Sequence, residues 1–254
     1  MSVEVNYTVD GPEDAPLVVL SGSLGSRLDM WDPQMAGLTG LFRVVRYDIR
    51  GHGDSPAPPG PYSIADLASD VLRLLDRLKV ERAHFAGLSI GGMTGMWLGA
   101  HAPERIDRLA LLCTSPKLGT PESWADRIRV VREQGTGALA PTVVGRWFTP
   151  AYIEREPDTI ELFTDMISET SVEGYAGCCA AIQHMDLRPD LPSITAPTLV
   201  VAGKEDPSTP PDQAELIAEA IPDARLEIVP DAAHLASWEQ ATAVNELLIQ
   251  HFRG

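Results

Sequence analysis

One serine lies between glycines where the order of local elements favours nucleophilic chemistry. The segment Gly87-Leu88-Ser89-Ile90-Gly91-Gly92 follows an apolar strand pattern and opens a helical one, which is the context that a G-x-S-x-G turn requires. Glycines permit the sharp turn that exposes a serine hydroxyl, and the N-terminus of the next helix stabilises developing negative charge. Ser89 is therefore the candidate nucleophile.

A serine hydroxyl needs a base to become an effective nucleophile, and one of the six histidines is well placed for that role. His234 follows a predicted strand late in the chain, so it should lie at the same carboxyl edge of the sheet as Ser89. The other histidines occur in a turn, in a strand or in helical regions (His52, His84, His101, His184 and His251). We therefore predict that His234 is the general base.

An acid must hold the imidazole of that base in the correct tautomer. Asp206 lies in the loop after another predicted strand, and the chain order Ser89, Asp206, His234 is one that serine hydrolases use. Glu205 and Asp231 are the competing acids.

Two backbone N–H groups are needed to stabilise the oxyanion that such a nucleophile generates. One is expected from Ile90, the residue after the nucleophile, and the other from the loop Ser21–Gly25. Ser23 is favoured in that loop, with Leu24 as the alternative one residue further on. The polar turn Arg50–Ser55 is interpreted as structural support for the site.

The elements that must position these residues alternate between strand and helix. We predict strands over Val3–Val9, Leu17–Leu20, Phe42–Tyr47, Ala83–Ala86, Ile106–Cys113, Thr198–Ala202 and Arg225–Val229. Helical patterns occupy Ile64–Leu78, Ile90–Ala102, Pro211–Ala220 and Val244–Phe252. Such alternation predicts an α/β fold with a mostly parallel sheet and helices on both faces. We expect about eight strands, one more than the seven runs identified here.

The alternation stops between about Lys117 and Pro192, where no strand pattern occurs. Helices are predicted over Trp124–Arg132, Val143–Phe148, Pro157–Glu169 and Tyr175–Gln183. A helical stretch inserted into an α/β core is expected to cover the carboxyl edge of the sheet, where such folds bind ligands. The predicted organisation is a core of residues 1–116 and 193–254 with a helical cap of residues 117–192.

Charge and composition narrow the range of partners. The chain of 254 residues has 20 basic and 36 acidic side chains and a formal net charge of −16, which argues against nucleic acids and anionic membranes as partners. No secretory signal, apolar run of about 18 residues or disulfide framework is visible, so a cytoplasmic protein is expected. No metal-ligand spacing or cofactor motif is apparent. The oligomeric state stays open.

The chain resembles an α/β-hydrolase over nearly its whole length and, more narrowly, the 3-oxoadipate enol-lactonases of aromatic catabolism. Motifs of both the expected core and the expected cap carry the narrower resemblance, namely Ser21–Trp31, Gly87–Met93, Ala102–Ile106, Arg146–Pro150, Glu173–Ala180 and Met185–Arg188. The cap motifs are the more specific, since many esterases and lipases share the serine turn.

The resemblance implies a fold and a reaction. The implied substrate is a small cyclic enol ester with a free carboxylate, opened through an acyl-enzyme on Ser89 and released as 3-oxoadipate by water that His234 activates, in the β-ketoadipate pathway. No metal or cofactor would be needed. The alternatives are a general carboxylesterase or perhydrolase with the same triad, and a slow-turnover ligand-binding receptor on a hydrolase scaffold.

A free carboxylate on the substrate requires a cation in this acidic protein. Arginine binds carboxylates through two parallel hydrogen bonds, and the helical region contains the candidates Arg127, Arg129, Arg132, Arg146 and Arg188. We rank Arg132 and Arg146 first and expect Trp124 and Trp147 to form walls of the pocket.

Overall fold

A computed structural model describes residues 3–254, and its core is one seven-stranded sheet. The strands are β1 (Tyr7–Asp10), β2 (Leu17–Ser21), β3 (Arg43–Tyr47), β4 (Ala83–Leu88), β5 (Ile106–Leu112), β6 (Thr198–Gly203) and β7 (Ala224–Val229). Their spatial order is β1-β3-β2-β4-β5-β6-β7. Within residues 3–254 the sheet thus has seven strands, not the eight or so expected.

Strand direction and burial match the mostly parallel sheet expected from the sequence. Only β1 runs antiparallel, against β3, and the other neighbouring pairs are parallel. Every residue of β2, β4 and β6 is buried, because helices cover both faces of such a sheet and leave no strand face for water. The carboxyl ends of these strands therefore meet at one edge.

Eleven α-helices accompany the sheet in the described residues. They are α1 (Asp32–Leu38), α2 (Ile64–Arg77), α3 (Ile90–His101), α4 (Pro121–Gln134), α5 (Ala140–Trp147), α6 (Pro150–Arg155), α7 (Pro157–Glu169), α8 (Val172–His184), α9 (Pro211–Ala220), α10 (Ala236–Glu239) and α11 (Ala241–Arg253). Four short 3₁₀ segments lie at Leu28–Trp31, Pro103–Arg105, Thr136–Ala138 and Leu191–Ser193. None of the described helices is long and apolar enough to cross a membrane.

Five consecutive helices, α4 to α8, separate β5 from β6, and no strand lies among them. We refer to residues 117–192 as the helical insertion. Helix α8 of the insertion contacts the turn after β3 backbone to backbone. A Cβ atom built on Gly51 would lie 2.2 Å from the Cα of Gly174, and one built on Gly174 would lie 2.3 Å from the Gly51 carbonyl oxygen. Neither position therefore has room for a side chain.

Candidate active site

Ser89 occupies a strained turn between β4 and α3. Its φ of 57° and ψ of −116° fall in a region that residues with side chains rarely adopt. Gly87 and Gly91 make the turn possible, since a Cβ on Gly87 would lie 2.1 Å from the Gly91 oxygen and one on Gly91 would lie 2.3 Å from the Ser21 oxygen. The glycines of the G-x-S-x-G pattern are therefore required by contacts with backbone atoms.

Hydrogen bonds to β5 and to the residues after it hold the turn in place. The Ser89 N–H donates to the Leu112 carbonyl at 3.0 Å, and the Thr114 hydroxyl donates to the Ser89 carbonyl at 2.7 Å. The backbone of Ser89 is thus fixed while its side chain lines the cavity described below.

His234 and Asp206 form a buried pair next to this turn. The Nδ1 atom of His234 lies 2.8 Å from Oδ2 of Asp206, and both residues are 3% exposed. Asp206 also accepts hydrogen bonds from the Ser208 N–H at 2.7 Å, the Thr209 N–H at 3.1 Å and the Thr209 hydroxyl at 2.7 Å. The competing acids, Glu205 and Asp231, are exposed.

These contacts keep the Asp206 carboxyl ionised. Burial alone raises its pKa, but the imidazole of His234 and the hydrogen bonds from Thr209 outweigh burial and hold the pKa of Asp206 below its ordinary value. An ionised Asp206 accepts the Nδ1 proton, which leaves Nε2 of His234 as the basic nitrogen. Thr209 was not singled out from the sequence, although a threonine three residues after a loop aspartate is well placed for such a turn.

Ser89 and His234 line the same cavity. No hydrogen bond joins their side chains within residues 3–254, and in ligand-free sites such catalytic contacts often tighten only when substrate binds. The arrangement brings together a strained serine, a histidine and an ionised aspartate, which is the set needed for nucleophilic attack on an acyl group.

The oxyanion donors differ in part from expectation. The N–H of Ile90, at the start of α3, has no hydrogen-bond partner in the described chain, so it is available to an oxyanion. The Ser23 N–H instead donates to the Ser26 hydroxyl at 3.0 Å and lies 3.2 Å from Sδ of Met30. The preference for Ser23 therefore conflicts with this structure. Ser23 and Leu24 both line the cavity, and of the two only the Leu24 N–H is unpaired among the described residues.

His52, in the turn interpreted as structural, supports the oxyanion loop. Its Nε2 accepts a hydrogen bond from the Gly25 N–H at 2.9 Å, and its ring stacks on Tyr175 of the insertion with 6.5 Å between ring centroids. Burial lowers the pKa of His52 to about 4, so the ring stays neutral and keeps its acceptor nitrogen at ordinary pH.

The cavity has a volume of about 410 Å³ and lies between the core and the helical insertion. Leu24, Ser89 and His234 line it from the core. Trp124, Arg127, Arg146 and Trp147 line it from α4 and α5 of the insertion. The volume suits a small organic molecule.

Only two of the five candidate arginines line this cavity, namely Arg127 and Arg146. Arg132, which was ranked first with Arg146, is exposed and does not line the cavity, so its position does not favour the expected contact with the substrate. Its position on α4 lies about 140° around the helix axis from Arg127 at 3.6 residues per turn. Arg129 pairs with Asp126 and Glu133, and Arg188 pairs with Asp186.

Arg127 is held by aromatic side chains and has no carboxylate partner within residues 3–254. Its guanidinium lies 5.2 Å from the ring centroid of Trp124 and 5.4 Å from that of Tyr175, and it donates a short hydrogen bond to the Tyr175 hydroxyl. Its buried Nε has no hydrogen-bond partner. Arg127 therefore places a cation without a carboxylate partner among the described residues at the cavity. The sequence signal for it was the i,i+3 spacing from Trp124, which places both on one helix face.

No group of three or more histidine, cysteine, aspartate or glutamate side chains in the described part of the chain is arranged to hold a metal ion. The three cysteines, Cys113, Cys178 and Cys179, are unpaired and buried. The site therefore consists of backbone N–H donors, the side chains of Ser89, His234 and Asp206, and the arginines of the insertion.

Comparisons with known proteins agree with this architecture. A family model described as the α/β hydrolase fold matches residues 15–139 and 155–241. The chain is 42% identical to 3-oxoadipate enol-lactonase 2 of Acinetobacter baylyi (96% of this chain, 91% of that protein) and 36% identical to enol-lactonase 1 of the same organism (100% and 92%).

Solved structures give the same result. The enol-lactonase from Burkholderia xenovorans LB400 superposes with a TM-score of 0.96 at 45% identity, covering 98% of this chain and 96% of that chain. A thermophilic esterase from Thermogutta terrifontis with malate bound gives 0.93 at 29% identity, covering 99% and 93%. With the fold, the serine turn and these matches in agreement, the chain belongs to the α/β-hydrolase family.

Proposed function

We propose that this protein is a serine hydrolase that opens a small, carboxylate-bearing enol-lactone, 3-oxoadipate enol-lactone, to give 3-oxoadipate. The observation that carries the proposal is the unneutralised Arg127 in the same cavity as Ser89 and His234. The names of the enol-lactonase relatives support it. The place of the reaction is the β-ketoadipate pathway of aromatic catabolism.

The first half of the reaction forms an acyl-enzyme. Nε2 of His234 takes the Ser89 hydroxyl proton as Oγ bonds to the lactone carbonyl carbon, and Asp206 stabilises the resulting imidazolium. The oxyanion accepts hydrogen bonds from the N–H groups of Ile90 and Leu24. The ring C–O bond then breaks with its electron pair on the enol oxygen. An enolate is a good leaving group, so the bond can break before a proton arrives. The enol oxygen then takes the proton from Nε2 of His234, which leaves the imidazole neutral for the second half of the reaction.

The second half releases the product. His234 takes a proton from water as the water oxygen attacks the acyl carbon, and the proton then returns to Ser89 Oγ as the ester bond breaks. The released enol becomes the more stable ketone, which draws the overall reaction towards 3-oxoadipate.

Arg127 supplies the recognition of the free carboxylate. A guanidinium can donate two parallel hydrogen bonds to the two oxygens of a carboxylate, and the contacts with the rings of Trp124 and Tyr175 restrain the position of this one. Arg146 provides a second positive charge on the same side of the cavity. These short-range contacts oppose the net charge of −16, which does not attract an anion from a distance.

We also propose that residues 117–192 act as a cap over a core of residues 1–116 and 193–254. The shared lining of the cavity supports this division. A cytoplasmic location, which we propose as well, is supported by three unpaired, buried cysteines. The expected partner is the small-molecule substrate, with neither nucleic acid nor a membrane surface involved.

Turnover of the enol-lactone by the wild type and by Ser89→Ala tests the proposal. We expect hydrolysis by the wild type and almost none by the variant, and equal rates in the two would rule out the mechanism. Comparing kcat/KM for the lactone with that for neutral p-nitrophenyl esters separates a lactonase from a general carboxylesterase. Stoichiometric instead of catalytic product release would identify a ligand-binding receptor.

A further inference from the structure

A buried carboxylate joins the loop of His234 to the helical insertion. Glu239, in α10, is 9% exposed, and its Oε2 accepts a hydrogen bond from the Ala233 N–H at 2.6 Å. Its Oε1 accepts hydrogen bonds from the N–H of Thr149 at 2.9 Å and from the Thr149 hydroxyl at 2.7 Å. Glu239 has no cationic partner in residues 3–254, so neutral donors satisfy both of its oxygens.

Another hydrogen bond also joins the His234 loop to the insertion. The Leu235 N–H donates to the Trp147 carbonyl at 2.8 Å. The residues on both sides of His234 are thus tied to the segment 147–149 of the insertion. Trp147 lines the cavity with its side chain. The proposed base and one wall of the cavity therefore belong to a single hydrogen-bonded unit.

We propose that Glu239 is a positioning residue. By linking the His234 loop to Thr149 through hydrogen bonds, it keeps the imidazole of His234 in position relative to the Ser89 hydroxyl. The inference rests on the proposed function only in taking His234 as the base. A buried carboxylate is tolerated only when donors satisfy it, and charge-assisted hydrogen bonds are stronger than neutral ones. The His234 loop therefore cannot shift without breaking the hydrogen bonds to Glu239.

Glu239→Gln tests this role. A carboxamide has one acceptor oxygen, so its nitrogen would have to face either Ala233 N–H or the donors of Thr149 with protons of its own. The readout is the second-order rate at which a small fluorophosphonate inactivates the enzyme, as Ser89 Oγ bonds to phosphorus and fluoride leaves. We expect this rate to fall by about 10- to 100-fold, because misplacement of a catalytic group by about 1 Å can cost that much.

Thr149 provides a test from the insertion side, since it contacts Glu239 and not His234. Thr149→Val removes the hydroxyl donor and keeps the N–H, so the rate should fall by a smaller factor, about 3- to 10-fold. Thr149→Ser restores the donor and should react within about twofold of the wild type. Equal rates in the valine and serine variants would contradict transmission through this hydrogen bond.

Two controls separate positioning from general stability. Glu246→Gln removes an exposed carboxylate on α11 and should leave the rate unchanged. Leu248→Ala opens a cavity in the core at a fully buried residue of the same helix, which costs about 2–5 kcal/mol of stability. At a temperature where it stays folded, it should still react at the wild-type rate. A loss in Leu248→Ala as large as in Glu239→Gln would overturn the proposal.

The fluorophosphonate does not depend on the lactone or on the arginines, so the two hypotheses fail separately. A wild type that reacts with the probe but does not hydrolyse the enol-lactone would refute the proposed substrate and leave the role of Glu239 to be judged by its own variant. A Glu239→Gln variant that reacts with the probe at the wild-type rate would refute the positioning role, whatever the substrate.

Discussion

The two sides of the cavity are built in different ways. On the core side, Ser89 and His234 extend from loops at the ends of parallel strands, and Gly91 and Gly203 allow these loops to pass close to backbone oxygens. On the insertion side, Arg127 extends from a helix and is oriented by aromatic packing. Backbone contacts thus hold the proposed catalytic residues in place, whereas side-chain packing holds the arginine that is proposed to bind the substrate.

The largest effect should come from the core side. Asp206→Asn replaces the buried acceptor of His234 with an amide, which favours the wrong imidazole tautomer, so kcat should fall by about 10⁴-fold. Steady-state hydrolysis of an activated ester measures the change. Glu205→Gln and Asp231→Asn, at the exposed competing acids, should retain wild-type activity. If either variant lost more activity than Asp206→Asn, the residue that it replaces would be the acid that orients His234.

A pair of glycine substitutions compares the two sides in terms of stability. In Gly91→Ala the new Cβ would lie 2.3 Å from the Ser21 oxygen, and we expect a loss of about 3 kcal/mol in the free energy of unfolding. Gly145, in α5, has open space around it, so Gly145→Ala should gain about 0.5–1 kcal/mol through helix propensity. Urea denaturation measures both. Similar losses in the free energy of unfolding would contradict the difference between the two sides of the cavity.

The pH dependence of stability concerns His52, which contacts both sides. Because burial lowers its pKa from 6.5 to about 4, the unfolded chain binds a proton in that interval that the folded chain does not. The free energy of unfolding should therefore decrease as pH falls from 6.5 to 4, by about 3 kcal/mol for this group.

His52→Gln is the matched variant, since its side-chain oxygen can still accept the Gly25 N–H but does not titrate. Its unfolding free energy should depend less steeply on pH, as measured in urea at several pH values. His251, far from the cavity in α11, also has a pKa lowered to about 4 by burial, so His251→Gln should reduce the slope without altering activity. An unchanged slope in His52→Gln would show that His52 does not contribute.

A smaller loss of activity than that of Asp206→Asn is expected on the insertion side. Arg127→Gln should lower kcat/KM for a carboxylate-bearing lactone by about 10- to 100-fold, the worth of hydrogen bonds to a charged group. Neutral p-nitrophenyl esters should be affected much less. Arg132→Gln, on another face of the same helix, is the control and should behave as the wild type. An equal decrease in kcat/KM for both substrates would show that Arg127 contributes through packing and not by binding the carboxylate.

The sequence predicted most of the fold because its signals are local. Two helices begin with proline and match their predicted bounds at both ends, Pro157–Glu169 and Pro211–Ala220. Helix α2 also begins with a local signal, a capping box formed by Ser63 and Asp66. The first strand begins at Tyr7 and not at Val3. Helix α6 was missed, although Thr149-Pro150 is a recognisable helix start.

The site was less predictable where it depends on contacts distant in sequence. The positions of Ser89, Asp206 and His234 follow from strand ends, which the apolar runs locate. The choice between Arg127 and Arg132 depends on which face of α4 meets the core, and the availability of the Ser23 N–H depends on a hydroxyl three residues later. The contact between Glu239 and Thr149 spans 90 residues, and no local pattern indicates it.

The contact between Gly51 and Gly174 bears on how such enzymes can be recombined. Because each glycine excludes a side chain at the other, the core and the insertion are not freely interchangeable modules. A chimaera that transplants residues 117–192 from another hydrolase would need a donor segment with glycine at the position of Gly174. The choice of donor is therefore limited by one backbone contact before any residue of the pocket is considered.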